Sequence, residues 1–143
     1  MKTLRYFFAA LLFALAGALL ASPARAGTLH AVLLIASPKP GPTDPRLAAY
    51  EVPMKRVLRF NSYIFQGSDT ATIGQNTRAE LVIGQGHELV VETGENPLAL
   101  RIRWAAGGLN TGITVRPGVP VVLGGSSTGK NNGEVYAVIL MLK

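Results

Sequence analysis

Apolar residues recur at every second position in several stretches of this chain, and the plainest instance is residues 79–92, AELVIGQGHELVVE. Apolar and polar residues alternate on both sides of Gly84-Gln85-Gly86, the period of strands whose two faces meet different surroundings. A loop of Gln85 and Gly86 alone would set Ile83 against Glu88 and mix apolar with acidic side chains. A three-residue loop, 84–86, sets Ile83 opposite His87, Leu81 opposite Leu89 and Ala79 opposite Val91. That register gathers the apolar residues on one face and leaves Glu80, Val82, Glu88, Val90 and Glu92 on the other, so it is the one expected. Gly86 then supplies the left-handed third loop position. A slip of one residue would turn the apolar set toward water, which fixes the register.

The same period continues elsewhere. In residues 98–104, Leu98, Leu100, Ile102 and Trp104 alternate with Ala99, Arg101 and Arg103. Strands are also expected at 57–66, 70–73, 112–116, with Ile113 and Val115 inward, and 119–123. Turns are expected at 67–69, 94–97, 107–108 and Pro117-Gly118, the pair a type II turn favours. Two segments differ. Residues 29–35 are apolar on both faces after His30, and 134–143 carry no charge between Glu134 and Lys143. Both faces must be covered, which places these strands inside a sheet, paired with each other.

The proline-rich run 37–45 reads as an extended loop, and 124–133 as a polar, glycine-rich one. Thr43-Asp44-Pro45 is a helix start, a capping side chain followed by proline. Leu47, Tyr50 and Met54 follow at helical spacing, but Pro53 interrupts. One short helix is expected at 45–51, resumed as a turn near Met54. Eight or nine short strands with turns every ~8–12 residues give an all-β fold, a mainly antiparallel β-sandwich or barrel-like domain.

Composition then supplies an address. Lys2 and Arg5, an apolar run over 6–20 and Ala24-Arg25-Ala26 form the pattern of a secretory signal peptide, residues 1–26, cut after Ala26. The apolar run is short of the ~20 residues a membrane span needs. A single β-rich domain, 27–143, is expected to be exported to the periplasm or the extracellular space and not to span the membrane after cleavage. The whole chain carries +6; without Lys2, Arg5 and Arg25 the domain has eleven basic and eight acidic residues, a net +3. That balance suits weak attraction to anionic envelope polymers and does not suggest a nucleic-acid partner. There is no cysteine, so strand pairing and packing must supply all the stability.

Candidate chemistry is sparse. Residues 124–130 fit G-x-x-x-x-G-K, but Asn131 stands where the magnesium-binding hydroxyl belongs, and a strand rather than a helix follows. Residues 125–129 fit G-x-S-x-G around Ser127, with no histidine downstream to serve a nucleophile. His30 and His87 have no ligand-spaced partner. Glu80 is diagonal to both Glu88 and Glu92, at the ~7–8 Å of such pairs, on a face with no expected cleft. No catalytic, cofactor-binding or metal-ligating residue is assigned. The better lead is basic and aromatic: Lys55, Arg56, Arg59 and Tyr63, with Arg101 and Arg103, would form one cationic patch if their strands were neighbours. The resulting expectation is a non-enzymatic binding or scaffold module of the cell envelope or secreted space, for an anionic ligand or a partner protein. The alternatives are assembly by strand addition through 134–143, and a small secreted hydrolase using Ser127 or the glutamates.

Overall fold

The two segments that are apolar on both faces pair with each other. β1 (Arg25–Ser37) and β8 (Val135–Leu142) run antiparallel, from Leu29 opposite Leu142 to Ala36 opposite Val135. They are the inner strands of a four-stranded sheet, sheet I, whose edges are β2 (Ser62–Gly74) and β7 (Val121–Ser127). A second four-stranded sheet, sheet II, is a meander of β3 (Arg78–Gly84), β4 (His87–Thr93), β5 (Ala99–Trp104) and β6 (Leu109–Thr114). The structure, a computed structural model, describes residues 25–130 and 132–143. Residues 1–24, nearly all of the expected signal peptide, lie outside the described residues. All the strand pairings are antiparallel, and the fold is the all-β sandwich expected.

Alternation along β1 and β8 divides the interior into two cores. Leu29, Ala31, Leu33, Val138, Leu140 and Leu142 face sheet II and meet Leu81, Ile83, Leu89, Val91, Leu100, Ile102 and Trp104. Val32, Leu34, Ala36, Ala137 and Ile139 face the other way, onto Leu47, Met54 and Leu58. The helical segment is therefore a third layer, and it covers the outer face of sheet I. It opens as a 3₁₀ turn, Pro45–Tyr50, capped by the Asp44 carboxylate, and continues as α1, Glu51–Leu58. It is longer than the expected helix. Pro53 does not end it, because it is the third residue of the α-helix, where the N–H that proline lacks would have no intrahelical partner. Arg59, in the left-handed conformation, closes it. Val57 and Leu58, expected to begin a strand, are its last turn.

β2 is also longer than expected. The Gly67-Ser68-Asp69 turn does not form; the strand runs through it with one bulge, and Leu33 and Leu34 pair with Gly67 and Phe65. Gly67 is required for proximity instead. A Cβ there would run into the Ile83 carbonyl, because the backbones of β2 and β3 meet at this point. Two residues on, the Asp69 carboxylate accepts the Val82 N–H at 3.0 Å. Sheet I is thus sealed to sheet II along the β2/β3 flank, and this side of the sandwich closes as a barrel does.

The hairpin of β3 and β4 has the expected faces: Leu81 opposite Leu89, Ala79 opposite Val91. Its loop is tighter than expected. Gly84 pairs with His87, and only Gln85 and Gly86, both at positive φ, form the turn. A bulge at Ile83–Gly84 takes up the extra residue, so the short loop and the correct faces coexist.

Replacing Gly67 by alanine is expected to separate β2 from β3 and to cost about 1–3 kcal/mol, the usual penalty for overpacking. Urea unfolding measures it. Gly94→Ala, with open space around its Cα, should change stability much less.

Candidate functional site

The six basic and aromatic residues singled out from the sequence do not come together. Arg101 and Arg103 are exposed on the outer face of sheet II, as their alternation required. Lys55, Arg56 and Arg59 lie on α1 and its cap, beyond sheet I and on the opposite side of the molecule. Tyr63 is buried in the core beneath the helix, and its hydroxyl is bonded to the Phe60 backbone. The single patch fails because β2 and β5 belong to different sheets, and strand neighbourhood is not encoded in a strand's own period.

The two sides also differ electrically. On sheet II, Arg103 meets Glu92 at 2.7 Å, and Arg78 lies 3.6 Å from Glu80 and 3.5 Å from Glu92. Arg78, Arg101 and Arg103 there balance Glu80, Glu88 and Glu92, so this face is neutral. Of the carboxylates considered for acid–base work, Glu80 and Glu92 are members of that open lattice, and Glu92 borders shallow surface hollows. A hollow of about 460 Å³ lies nearby, over Ala99 and Gly112 and between Glu92, Arg101 and Thr114, but it is a saddle on an open surface. Residues 39–59 hold Lys39, Arg46, Lys55, Arg56 and Arg59 against Asp44 and Glu51, a net +3. The net charge of residues 27–143, +3, thus equals that of this one segment on the helical side.

A better-formed crevice lies on that same side. Its floor is the ladder of β1 and β2, where His30 is opposite Thr70 and Val32 opposite Ser68. Arg46 and Tyr50 of the 3₁₀ turn and Phe65 of β2 wall it, and Asp69 stands at its rim. Its volume is about 290 Å³, close to the lower end of the ~300–1,000 Å³ usual for small-ligand sites. Two contacts position the wall. The Arg46 guanidinium grips Asp44 through two bonds, Nε to Oδ1 at 3.0 Å and Nη2 to Oδ2 at 2.8 Å. The same guanidinium lies over the Phe65 ring, 4.1 Å from its centre. Hydrogen bonds from the Arg46 side chain, then from its backbone, hold the Asp44 carboxyl down to about 2. Such a pair keeps a cation fixed on an aromatic face while leaving guanidinium N–H groups free to turn toward a ligand. The crevice draws on residues 30, 46–50 and 65–70. Sequence spacing showed none of this, although Arg46 beside a capping aspartate was visible.

The other motifs have structural roles. β7 extends through Ser127 into the expected loop. Gly125 is needed because a Cβ there would strike the Trp104 ring, and Gly107 bounds the same ring. Ser126 donates to the Ala106 carbonyl at 2.8 Å, and Ser127 Oγ accepts the Gly129 N–H at 3.2 Å. Glycines and serines of the G-x-S-x-G string thus hold the tryptophan and shape a turn. His30 and His87 are in different layers, and among the described residues no group of three or more His, Cys, Asp or Glu could hold a metal ion.

His87 is buried between sheets. Trp104 Nε1 donates to its Nδ1 at 2.9 Å, and its ring lies 4.3 Å from that of Tyr136. An indole N–H can only donate, so the imidazole is neutral with its proton on Nε2. Burial lowers its pKa below the ordinary 6.5. The unfolded chain therefore takes up this proton at a higher pH than the folded one. Stability from this site is complete above pH 6.5, falls as pH drops below it, and levels off once the folded imidazole is itself protonated. Urea midpoints followed by the fluorescence of Trp104, the one tryptophan, should show this loss, and His87→Gln should remove it.

Comparison with protein-family models, with curated proteins and with solved structures found no match to this chain.

Proposed function

We propose that the protein is an exported, non-enzymatic binding module of the cell envelope or secreted space, and that its working surface is the helical side of sheet I. The observation that carries this reading is the crevice between the 3₁₀ turn and the β1/β2 ladder, with Arg46 stacked on Phe65, on the one side where positive charge is unbalanced. An aromatic wall with a fixed cation and polar groups from His30, Ser68 and Thr70 suits one ring of a carboxylate-bearing glycan. Lys55, Arg56 and Arg59 then serve the rest of an anionic chain as it leaves the crevice. Two of the residues first singled out, Arg101 and Arg103, have no part in this surface. Among the described residues no helix is long and apolar enough to cross a membrane, and the module is proposed to act in an aqueous compartment.

Titration with an oligogalacturonate, a carboxylate-bearing oligosaccharide, tests the proposal by amide NMR. Shifts are expected at His30, Arg46, Tyr50 and Phe65 first, and at Lys55 and Arg56 as the oligomer lengthens. Affinity should fall with added salt, since these charges are exposed. Arg56→Glu with Arg59→Glu should weaken binding about tenfold, the equivalent of ~1.4 kcal/mol, whereas Arg101→Glu with Arg103→Glu should leave it unchanged. Shifts confined to sheet II would remove the reading.

A further inference from the structure

The two flanks of the sandwich are not alike. On the β2/β3 flank the inward residues Ile73, Leu81 and Ile83 are completely buried, and Asp69 caps the outward N–H of Val82. On the other flank, Leu109 and Ile113 of β6 and Val121 and Leu123 of β7 reach the same core yet are only partly buried. Val119, in the connection between these strands, is 49% exposed. Among the described residues no strand pairs with the outer edge of β6.

The polarity of that edge follows from one bond. Val115 N–H donates to the Leu98 carbonyl at 2.9 Å. In an antiparallel ladder the bonded residues alternate, so Ile113, Thr111 and Leu109 direct their backbone groups to β5. Those of Asn110, Gly112 and Thr114 then point away from the sheet. β6, LNTGIT, has no charge, no proline and no bulge, the devices that blunt an edge. Its counterpart β7 has Pro120 at its entry and a bulge between Gly124 and Ser127. One ladder is therefore open, and it adjoins the exposed rim of the core. It is not β8: both edges of β8 are filled, by β1 and β7.

We infer that a second copy of this chain occupies the β6 edge, pairing β6 with β6 antiparallel across a twofold axis at Gly112. Self-pairing suits this strand because its sequence is complementary to its own reverse. With Gly112 opposite Gly112 of the second copy, Asn110 faces Thr114 of the second copy on the outer face, and Thr114 faces Asn110. These amide–hydroxyl pairs are uncharged; Asn110 Oδ1 accepts from Arg101 Nη1 of its own chain at 3.4 Å, so its amide N–H groups are the ones that donate to the Thr114 hydroxyl. At the axis two glycines meet without side chains. All three outward residues of each copy enter the ladder, for about six inter-chain hydrogen bonds; no other symmetric register uses as many. Two half-covered rims, each with Leu109 and Ile113, come together, and sheet II becomes continuous over eight strands. The crevice proposed for ligand lies at the opposite edge of sheet I, along β2, and stays open in both copies. This inference does not rest on that function.

Sedimentation equilibrium from low micromolar to millimolar protein tests it, alongside two outward-facing double variants. Asn110→Lys with Thr114→Lys sets like charges opposite each other twice, and the dissociation constant should rise at least about tenfold. Asn110→Lys with Thr114→Glu sets opposite charges in the same places and should keep the dimer. Circular dichroism should match the parent in both, because these side chains are exposed. A parent that stays monomeric up to millimolar concentration overturns the inference. So does a dimer that the lysine pair leaves intact, or one that both variants weaken alike.

Discussion

A pair of strands that is apolar on both faces cannot be stable at a surface, and the pairing of β1 with β8 puts that constraint at the centre of this molecule. Each strand has leucine, valine or isoleucine on either side of its pleat, so the sheet containing them needs two covers. Sheet II supplies one, through its alternating arms. The helical segment supplies the other, through Leu47, Met54 and Leu58. Removing a buried leucine side chain typically costs ~2–5 kcal/mol, while an exposed ion pair contributes ~0–1 kcal/mol. The two cores therefore outweigh the charge lattice on sheet II, which the fold could lose with little effect. In a chain without cysteine this division is a necessity, since no covalent link exists to hold an incomplete core.

The helical layer has a second consequence. Because it caps only part of sheet I, the ladder of β1 and β2 emerges from beneath it at His30 and Thr70. A crevice forms wherever a short layer ends over a longer sheet, and here the end of the layer is the capped 3₁₀ turn. Asp44 begins the turn, and its carboxylate also holds Arg46 against Phe65. One side chain thus both starts the covering layer and positions the cation at its margin. The site is a by-product of how the core is covered, which is why its residues are far apart in sequence.

Periodicity carried the architecture well and the assembly poorly. Faces could be read from alternation alone: Leu100, Ile102 and Trp104 inward, Arg101 and Arg103 outward, Leu81 and Leu89 facing sheet I. The doubly apolar segments could be placed inside a sheet because an uncharged run leaves nowhere else for them. Glycine was the main source of error. Gly67 looks like a turn, yet it is there because another backbone passes within contact, and a single sequence does not distinguish the two uses. Gly125 resembles half of a nucleophile motif, yet it makes room for Trp104. The position of Lys55 relative to Arg101 depends on which strands share a sheet. Sheet membership is decided by pairing between distant segments, so no local pattern could have shown that these cations face away from each other.

The sealing of one flank bears on the other. A sandwich has two open sides, and closing both with short connections would demand that every edge strand bend toward its counterpart. Here the bend is made once, where Gly67 and Gly84 let β2 and β3 touch and Asp69 spans the gap above them. On the far side the link from β6 to β7 contains Pro117 and Pro120, whose missing N–H groups and fixed φ prevent it from becoming a ladder of its own. That link can cross between the sheets but cannot seal them. The partly buried row of Leu109, Ile113, Val121 and Leu123 follows directly from this difference. The asymmetry is therefore one of backbone contact: glycine lets two strands touch on one flank, whereas on the other only the link between them bonds to both sheets, through Val115 N–H to Leu98 and Gly118 N–H to Leu142.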